Sequence, residues 1–578
     1  MASRGGAVHV VTTTRHYKGK VYQTHLLRRS YRDGGAVRNE TVGNLSHLPP
    51  HLIDWIRRAL RDEPVLPIDQ YEVTSSVAHG DVHAVLAAMD RLGFTRLLSA
   101  RRCPEADLVR AMVAARVVAP HTKLATTRWW HTRTLAEDLG VGAASEDDLY
   151  TAMDWLLARQ PAIEATLAAR HLPTGGLVLY DLTSSYFEGT TCPLAKRGYN
   201  RDGKRDKLQV NYGLVTDGRG CPVAVSVVDG DVADSRTVLP QVQRIRETLG
   251  VRELVLVGDR GLIAQATLDT LQTLEGVHWI TALKTASLRQ LQAHGPLQLG
   301  LFDERNLCAL TDPAFPGERL IACRNPDLAA RRAHKREALL TATEAELAKV
   351  AGMVARGTLR ERGAIGIRVG RVINKYKVAK HFTVTIADRA LQYARKGAAI
   401  TAEAALDGIY VIRTNLTRAQ MDDAETVRTY KSLSQVERAF RSLKTVDLHV
   451  RPIHHRTADR VRSHIFLCML AYYVEWHLRE AWRPLLFADE DQAAKATRDP
   501  VARATRSAAA DEKAATHRTV TGDPVHSFRT LLQDLATIVR NRCRLREVPD
   551  APIFDLTTTP SPTQRRAFDL IREQIRVA

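Results

Sequence analysis

The chain has 578 residues, of which 44% are hydrophobic and 25% are charged, and its formal net charge is +19. This composition is close to the globular average and excludes a wholly disordered protein, and the length predicts three to five structural units. No apolar run reaches the roughly 18 residues that cross a bilayer, so we expect no membrane segment. The excess of Lys and Arg is typical of a protein that meets phosphate backbones, and an acidic lipid surface would also attract it.

The N-terminal sequence and the cysteines limit the compartment and the cofactors. Residues 1–6, Met-Ala-Ser-Arg-Gly-Gly, contain no apolar core of a signal peptide, so a cytoplasmic protein is expected. The seven cysteines are scattered and never spaced as Cys-x-x-Cys, which indicates neither a disulfide framework nor a zinc site. No Gly-x4-Gly-Lys-Ser/Thr phosphate loop occurs, so we expect no nucleotide cofactor.

The first two parts of the chain differ in their hydrophobic period. In residues 7–45, polar and apolar side chains alternate around an Asp-Gly-Gly turn at 33–35, which predicts a β-rich leader with a hairpin in residues 1–72. In residues 73–172, apolar side chains recur every three or four positions, which predicts a helical domain. A helical domain ahead of a catalytic core often binds DNA, although its arginines would also suit a solvated surface. These arginines are Arg96, Arg101, Arg102, Arg110 and Arg116.

Residues 173–285 change to a mixed α/β pattern. Short apolar runs predict three strands, a helix and a fourth strand in this order along the chain. The predicted elements are strands at 176–182, 209–216 and 222–228, a helix at about 236–249 and a strand at 253–258. Residues 173–285 are therefore expected to form the first part of an α/β core.

Residues 286–405 are expected to interrupt this core as an insertion. A stretch rich in Ala, Leu, Glu and Arg predicts a charged helix at about 329–362. Two segments at 365–372 and 381–386 have the pattern of strands.

The core is predicted to resume in residues 406–485, and a C-terminal region follows in residues 486–578. The resumed core contains a return strand at 407–414 and two helices at about 424–445 and 457–482. The C-terminal region combines a solvated linker at 488–520 with a helical part that includes a helix at 527–543.

Two aspartates lie where buried strands of the core end. Asp181 follows the apolar run Leu-Val-Leu-Tyr at 177–180, and Asp259 follows Leu-Val-Leu-Val-Gly at 254–258. Two acids at strand ends can converge on one site. A single aspartate at such a place is more often a turn former or a helix cap than a ligand.

The third acid lies on the helix predicted at about 424–445, where Tyr430, Glu437 and Lys444 are spaced by sevens. At about 100° per residue, a step of seven returns to within roughly 20° of its start, so these side chains share one stripe. A neighbouring apolar stripe would anchor the helix to the core, and it consists of Leu433, Val436, Phe440 and Leu443. A surface helix with salt bridges to Arg441 and Lys444 would suit the same sequence.

Carboxylates on two strand ends and one helix are the ligand type that Mg²⁺ prefers, together with water and substrate phosphate. Two such ions about 3.5–4 Å apart activate an attacking oxygen and stabilise a leaving one. The three acids therefore indicate a nuclease or strand-transfer site.

At these residues the chain resembles the DDE transposases of bacterial insertion sequences, in the group with a Tyr-x2-Arg-x3-Glu-x6-Lys signature. The resemblance covers roughly residues 175–480. The segments that support it are Tyr-Asp-Leu-Thr-Ser-Ser-Tyr-Phe-Glu-Gly at 180–189, Gly-Asp-Arg-Gly at 258–261, and the Glu437 helix running into His-Val-Arg-Pro-Ile-His-His at 449–455.

The resemblance implies a multidomain α/β protein with an RNase H-like mixed sheet, interrupted by a largely β insertion between the second aspartate and the glutamate. It makes Asp181, Asp259 and Glu437 the catalytic acids and the ligands of two Mg²⁺ ions, for which Mn²⁺ substitutes. It also implies that Tyr430 and Lys444 contact the phosphates or bases of DNA.

In the signature, the arginine position is occupied by Leu433. The DNA contact of that arginine is either lost or taken over by Arg438 or Arg441, whereas the three acids are unaffected. The polar segment at 198–209 resembles the family's segment before the second strand. It would form either a basic hairpin that touches DNA beside the site or a plain turn.

The family's activity implies that the chain binds the inverted repeats at transposon ends, cuts them and joins the 3′ ends to target DNA, as a homodimer that pairs two ends. Two alternatives stay open. The first is an RNase H-like nuclease that cuts without joining, and the second is a catalytically silent DNA-binding protein derived from a transposase.

Overall fold

The computed structural model of the chain describes residues 7–62, 71–204, 206–293, 302–545 and 552–576. The first six residues, on which the signal-peptide prediction rests, and Arg205 of the polar segment lie outside these ranges. The chain forms two compact units: residues 1–76 with 540–558, and residues 77–539 with 559–578. Within the described ranges, every helix is too short or too polar to span a bilayer.

The described residues contain 16 strands, numbered in chain order. They are β1 (Ala7–Tyr17), β2 (Lys20–Asp33), β3 (Ala36–Asn44), β4 (Tyr71–Ala78), β5 (Gly176–Tyr186), β6 (Gln209–Thr216), β7 (Pro222–Asp229), β8 (Leu254–Val257), β9 (Val277–Ala282), β10 (Leu307–Leu310), β11 (Arg319–Arg324), β12 (Phe382–Ala387), β13 (Ala390–Arg395), β14 (Ile409–Thr414), β15 (Val539–Leu545) and β16 (Phe554–Thr557).

The same residues contain 20 α-helices. They are α1 (Pro50–Ala59), α2 (Gly80–Arg91), α3 (Phe94–Leu98), α4 (Pro104–Val118), α5 (Lys123–Trp129), α6 (Leu135–Asp138), α7 (Glu146–His171), α8 (Val238–Glu247), α9 (Gln265–Leu271), α10 (Thr285–Ala293), α11 (Pro326–Ala355), α12 (Arg362–Tyr376), α13 (Gly397–Ala404), α14 (Asp423–Lys431), α15 (Leu433–Arg441), α16 (Ala458–Ala481), α17 (Gln492–Thr497), α18 (Ala508–Thr516), α19 (Phe528–Leu535) and α20 (Pro562–Gln574).

The smaller unit is rich in β structure. Strands β1, β2 and β3 form an antiparallel sheet, and α1 packs against β1. The turn between β2 and β3 contains Gly34 and Gly35, both with positive φ (57° and 90°), a conformation that glycine adopts without steric cost. This turn confirms the predicted hairpin. A second sheet has the order β16-β15-β4.

The larger unit is built on an eight-stranded mixed sheet with the order β10-β11-β14-β9-β8-β5-β6-β7. Strand β5 pairs parallel with β8 and antiparallel with β6, while β8 and β9 are parallel and β6 and β7 antiparallel. The five strands from β5 to β9 thus have the mixed order of the expected RNase H-like core. Strands β14, β11 and β10 extend its edge by antiparallel pairing.

A helical layer packs against the β7 side of this sheet. Helix α16 is apolar around most of its circumference because it lies between β7 and the helices α2, α4 and α7. The helices predicted from about residue 80 to 170 are therefore confirmed, and they pack into the same hydrophobic core as the sheet, whereas residues 73–78 belong to the strand β4.

The segment 286–405 is divided between two environments. Strands β10 and β11 belong to the large sheet. Helices α11 and α12 and the β12-β13 hairpin instead surround a separate apolar cluster. The strand predicted at 365–372 is wrong, because these residues lie in α12, where Ile365 and Val369 are buried at four-residue spacing. The boundaries proposed for the six parts of the chain stay predictions.

Three other predicted elements differ from the structure. The helix predicted at 424–445 is two helices, α14 and α15, followed by a π-helical turn over Ser442–Val446. The helix predicted at 527–543 is wrong beyond Leu535, since Val539–Leu545 form the strand β15. The polar linker predicted at 488–520 contains the short helices α17 and α18.

A cluster of imidazole and thiol groups lies where α7 and α16 meet the start of β7. The donor atoms of His171, Cys221 and His477 all lie within 4.8 Å of one another, a proximity that their sequence spacing does not indicate. Burial, together with the charges of His171, Arg219 and Arg170, lowers the pKa of His477 to about 3. These surroundings keep the imidazole of His477 neutral.

A methyl group at Gly213 is expected to destabilise the larger unit. A Cβ there would lie 2.3 Å from the hydroxyl oxygen and 2.6 Å from the ring of Tyr180, which is fully buried and cannot move aside. Overpacking of this kind costs about 1–3 kcal/mol, so Gly213→Ala should lower the midpoint of thermal unfolding by several degrees. Gly370→Ala is the matched control, since no atom lies within 4 Å of its Cβ position in α12. An unchanged midpoint for Gly213→Ala would contradict the close approach.

The histidine cluster predicts acid destabilisation. The pKa of His477 is about 3 in the folded chain, below its ordinary value of 6.5, so the unfolded chain binds the extra proton. This contribution to stability is complete above pH 6.5 and is lost as the pH falls below it, by ~1.4 kcal/mol per pH unit. We expect His477→Gln to flatten the fall in unfolding midpoint between pH 6.5 and 5. His334→Gln, on the exposed surface of α11, should leave that fall unchanged. Equal slopes for the two variants would refute the argument.

Candidate active site

The pairing of β5 with β8 places two aspartates next to each other. Leu179 is in register with Val257, and Asp181 and Asp259 each come two residues later. Parallel neighbours are about 4.8 Å apart and alternate in the same phase, so both side chains leave the same face of the sheet. The expected convergence of the two acids follows from this register, but only Asp259 follows a strand end: the prediction that the strand ends near Asp181 is wrong, because β5 continues to Tyr186 through its pairing with β6.

The two aspartates differ in their surroundings. Asp259 is exposed, and its Oδ1 accepts hydrogen bonds from the backbone N–H groups of Gly261 and Leu262, both at 2.7 Å. Asp181 is half-buried, and its Oδ1 accepts from the N–H of Leu182 at 2.8 Å. Asp259 therefore does stabilise a turn, as a single aspartate at a strand end often does, but it uses only Oδ1 for this. Among the described residues, Oδ2 of Asp259 has no hydrogen-bond partner.

Helix α15 brings Glu437 to the same region. Val436, Ala439 and Phe440 are buried on the side of the helix that packs against the core, and α15 contacts β5 directly. The ring of Phe440 meets that of Tyr212 edge to face, with centroids 5.9 Å apart. Glu437 lies on the opposite, exposed side, as the predicted apolar stripe requires.

The helix before it, α14, is anchored by the edge of the sheet. Arg319 of β11 forms an ion pair with Asp423 at the start of α14 and donates a hydrogen bond to the carbonyl of Met421 at 2.7 Å. It also donates to the carbonyl of Leu416 at 3.2 Å. A strand from the segment predicted as an insertion thus fixes where the Tyr430 helix begins.

The end of α15 is held from behind by a buried polar network. The hydroxyl of Ser442 donates to Glu475 at 2.8 Å, and Arg479 pairs with both Glu475 at 2.6 Å and Asp447 at 2.8 Å. Burial raises the pKa of Glu475 to about 7, and Arg479 opposes this shift. The network ties the π-helical turn to α16 and so limits how far α15 can move.

These elements enclose one open cleft of about 290 Å³. The residues that line it are Asp181, Asp259, Tyr430, Lys431, Leu433, Ser434 and Glu437. The cleft brings together all three predicted acids and Tyr430. Lys431 and Ser434 were not singled out from the sequence, although both lie within the signature helix.

The cleft concentrates negative charge. Burial, together with the charges of Asp259 and Glu437, raises the pKa of Asp181 to about 7. The N–H of Leu182 and the charge of Arg201 offset only part of this effect. The cleft contains three carboxylates, one of them largely buried, and too few cationic groups to balance their negative charge. A hard divalent cation binds oxygen donors of this kind and would supply the balancing charge.

The three acids are spread across the cleft. Within the described part of the chain, oxygens of the three carboxylates do not all lie within 4.8 Å of one another. Two oxygens bound to a single Mg²⁺ at roughly 2.1 Å are at most about 4.2 Å apart. A pair of ions about 3.5–4 Å apart spans a wider set of ligands.

Lys444 does not line the cleft. Its Nζ lies 3.1 Å from Oδ1 of Asp202, which also pairs with Arg451. Oδ2 of Asp202 accepts a hydrogen bond from the N–H of Tyr186 at 3.0 Å. The stripe argument placed Lys444 beside Glu437 by assuming one continuous helix. The π-helical turn changes the rise and rotation between the two residues, so that assumption is wrong.

Arg438 and Arg441 are exposed on α15. In the described part of the chain, neither has a carboxylate within ion-pair distance, and Glu437 forms no salt bridge with Arg441 or Lys444. The alternative of a surface helix with internal salt bridges is therefore not what the structure shows. Two unpaired guanidinium groups face solvent on the helix that contains the third acid.

Two family models match the chain. The transposase DDE domain matches residues 173–474, which is more than half of the chain. The N-terminal domain of IS1634 family transposases matches residues 10–63. Among curated proteins, none matches the chain significantly.

The matched segments agree with the geometry. The DDE domain model covers every strand of the large sheet and all residues of the acidic cleft, and proteins of this family typically use a divalent metal. The N-terminal model covers most of the three-stranded sheet and α1. The chain belongs to the DDE transposases of bacterial insertion sequences.

Proposed function

We propose that the chain binds the inverted repeats at transposon ends and catalyses metal-dependent cleavage and strand transfer of DNA, with Asp181, Asp259 and Glu437 as its catalytic acids. The observation that supports this most directly is the shared cleft, in which acids from β5, from the end of β8 and from α15 meet. Burial disfavours the ionised form of Asp181, and a bound cation would stabilise that form.

Two Mg²⁺ ions, or Mn²⁺ in their place, fit this donor set. Asp181, Asp259 and Glu437 would hold them, with Oδ2 of Asp259 available beside its hydrogen-bonded Oδ1. Bound there, the two ions would lower the pKa of the attacking hydroxyl and offset the charge on the leaving oxygen. The nucleophile is water in the cut and the freed 3′-hydroxyl in the joining step.

Other residues of the cleft position the DNA backbone. Burial and the charge of Asp259 raise the pKa of Tyr430 to about 12, which keeps its hydroxyl protonated and able to donate to a phosphate oxygen. Lys431 lies in the same wall, and burial lowers the pKa of its ammonium group. Leu433 supplies no charge at the signature arginine position, so Lys431 is the cation nearest to that place in the cleft lining.

Arg438 and Arg441 are proposed to contact backbone phosphates outside the cleft, since both are exposed and lack a carboxylate partner among the described residues. Lys444 is held by Asp202, so it reaches a phosphate only by exchanging that partner. Two ends are cut in one transposition event, and we therefore propose that a homodimer pairs them.

Removing any one of the three acids should abolish catalysis. With labelled DNA that carries the repeats flanking the gene, Asp181→Asn, Asp259→Asn and Glu437→Gln should each reduce Mg²⁺-dependent cleavage and joining at least 100-fold, while binding persists. Glu247→Gln, an exposed carboxylate at the end of α8, is the matched control.

Undiminished cleavage by one of these variants would remove that acid from the site. Cleavage without joining by the unmodified protein would favour the nuclease alternative. Binding with no cleavage under any divalent ion would favour the silent DNA-binding protein.

The exposed arginines of α15 predict a change in salt dependence. Each phosphate contact contributes about 0.9 to the slope of log K against log salt. Arg438→Ala with Arg441→Ala should therefore reduce this slope by about 2 and weaken binding of duplex DNA at every sequence. The variant Arg438→Lys/Arg441→Lys keeps both positive charges and should retain the slope of log K against log salt. Binding is measured by fluorescence anisotropy at about 50–200 mM salt. Equal slopes for the Ala and unmodified proteins would contradict these contacts.

A further inference from the structure

The first hairpin of the smaller unit extends beyond its sheet. Strand β3 pairs with β2 only over the segment of β2 that begins at Leu26. Residues 12–23 are here called the ribbon, and residues 12–17 of β1 have ladder partners only in residues 20–25 of β2. All twelve are exposed, on both faces. With six residues on each side, the ribbon is roughly 20 Å long.

The ribbon carries positive charge and no negative charge. Its sequence, Thr-Thr-Thr-Arg-His-Tyr-Lys-Gly-Lys-Val-Tyr-Gln, contains Arg15, Lys18 and Lys20 and no carboxylate. In the part of the chain that the structure describes, none of these three cations has an ion-pair partner. A surface of this kind attracts polyanions.

The register places cations and aromatic rings on one face. Arg15 is opposite Tyr22, and Tyr17 is opposite Lys20. Opposite residues of an antiparallel pair share a face, and residues two apart along a strand do so too, so all four side chains project in the same direction. Tyr17 is 54% exposed and Tyr22 is 52% exposed, which is high for aromatic residues.

The turn at the tip adds a fifth group. Lys18 and Gly19 both have positive φ (48° and 72°), as a tight two-residue turn requires. Lys18 is not the residue that this turn favours, since a side chain in the left-handed region costs roughly 1–2 kcal/mol. Its Nζ lies 5.5 Å from the centre of the Tyr17 ring, on the same end of the ribbon.

The arginines of the helical segment offer less free charge. Arg102 pairs with Asp107 at 2.9 Å, and Arg110 pairs with Asp90 at 2.6 Å. Arg116 is buried and donates to the carbonyl of His121 at 3.1 Å. Three of the five arginines considered for DNA binding from the sequence are thus used within the protein.

We propose that the ribbon binds duplex DNA by inserting its Arg15, Tyr17, Lys20 and Tyr22 face, with Lys18 at the tip, into the major groove. The major groove is about 12 Å wide and accepts a two-stranded ribbon. The cations contact phosphates and the tyrosines pack on base edges or sugars. The ribbon has one aliphatic side chain, Val21, and it lies on the other face, so a lipid surface is the poorer partner. This inference rests on the proposed function in its choice of DNA as the polyanion.

The test uses the full-length protein and two labelled duplexes, one with the flanking repeats and one unrelated. Arg15→Gln/Lys18→Gln/Lys20→Gln should weaken binding of the repeat duplex at least ten-fold and reduce its salt slope by about 2–3. Tyr17→Ser/Tyr22→Ser should weaken binding without changing the slope, because it removes no charge. Unchanged unfolding midpoints verify that the exposed ribbon is not needed for folding.

The matched control is Arg368→Gln/Arg371→Gln/Lys375→Gln, which removes three exposed charges from α12. Equal loss of binding by this control would show a general effect of net charge and overturn the proposal. The proposal would also be overturned if Arg15→Gln/Lys18→Gln/Lys20→Gln bound DNA normally. The same holds if this variant lost binding to phosphatidylserine vesicles but kept its binding to DNA. Binding is scored without cleavage, so an unmodified protein that binds and does not cut would refute the proposed function and leave the ribbon tested.

Discussion

The register between β5 and β8 is the constraint on which the site depends. A parallel pair fixed by Leu179 and Val257 makes two aspartates neighbours on one face of the sheet. A shift of one residue would send one of them to the opposite face, because side chains alternate along a strand. The buried, apolar β8 and the buried start of β5 oppose such a shift, since both of their faces lie in the core. The third acid depends on a different kind of contact, the packing of α15 on β5.

Much of the core could be predicted from apolar runs, and the errors have a physical cause. Strands β6 and β7 were predicted within one residue because they are short segments rich in Val, bounded by turns. The sequence at 365–372 has apolar residues that suit either a strand or one side of a helix, and the adjoining α11 and β12-β13 select the helix. The strand β15 was predicted as the end of a helix because its local sequence does not show its pairing partners. One partner, β4, lies far earlier in the chain, and the other, β16, comes after it.

The candidate site was predictable where local sequence sets the geometry. Both aspartates, Glu437 and Tyr430 meet in one cleft, as the sequence suggested, although Asp181 lies in the middle of β5 and not at its end. Lys444 does not, because the π-helical turn depends on a buried network with Glu475 and Asp447 that no local pattern reveals. The partner of Lys444, Asp202, lies in a loop more than 200 residues earlier, beyond the reach of helical periodicity.

The distance along the chain between the acids has a consequence for synthesis. Glu437 follows Asp259 by roughly 180 residues, which takes roughly 10–35 s at ribosomal rates of about 5–20 residues per second. Its helix also needs Arg319 of β11 in place at the start of α14. During that interval the nascent chain has two of the three acids and no third. The cleft of three acids is therefore incomplete until α15 has been synthesised and packed on β5.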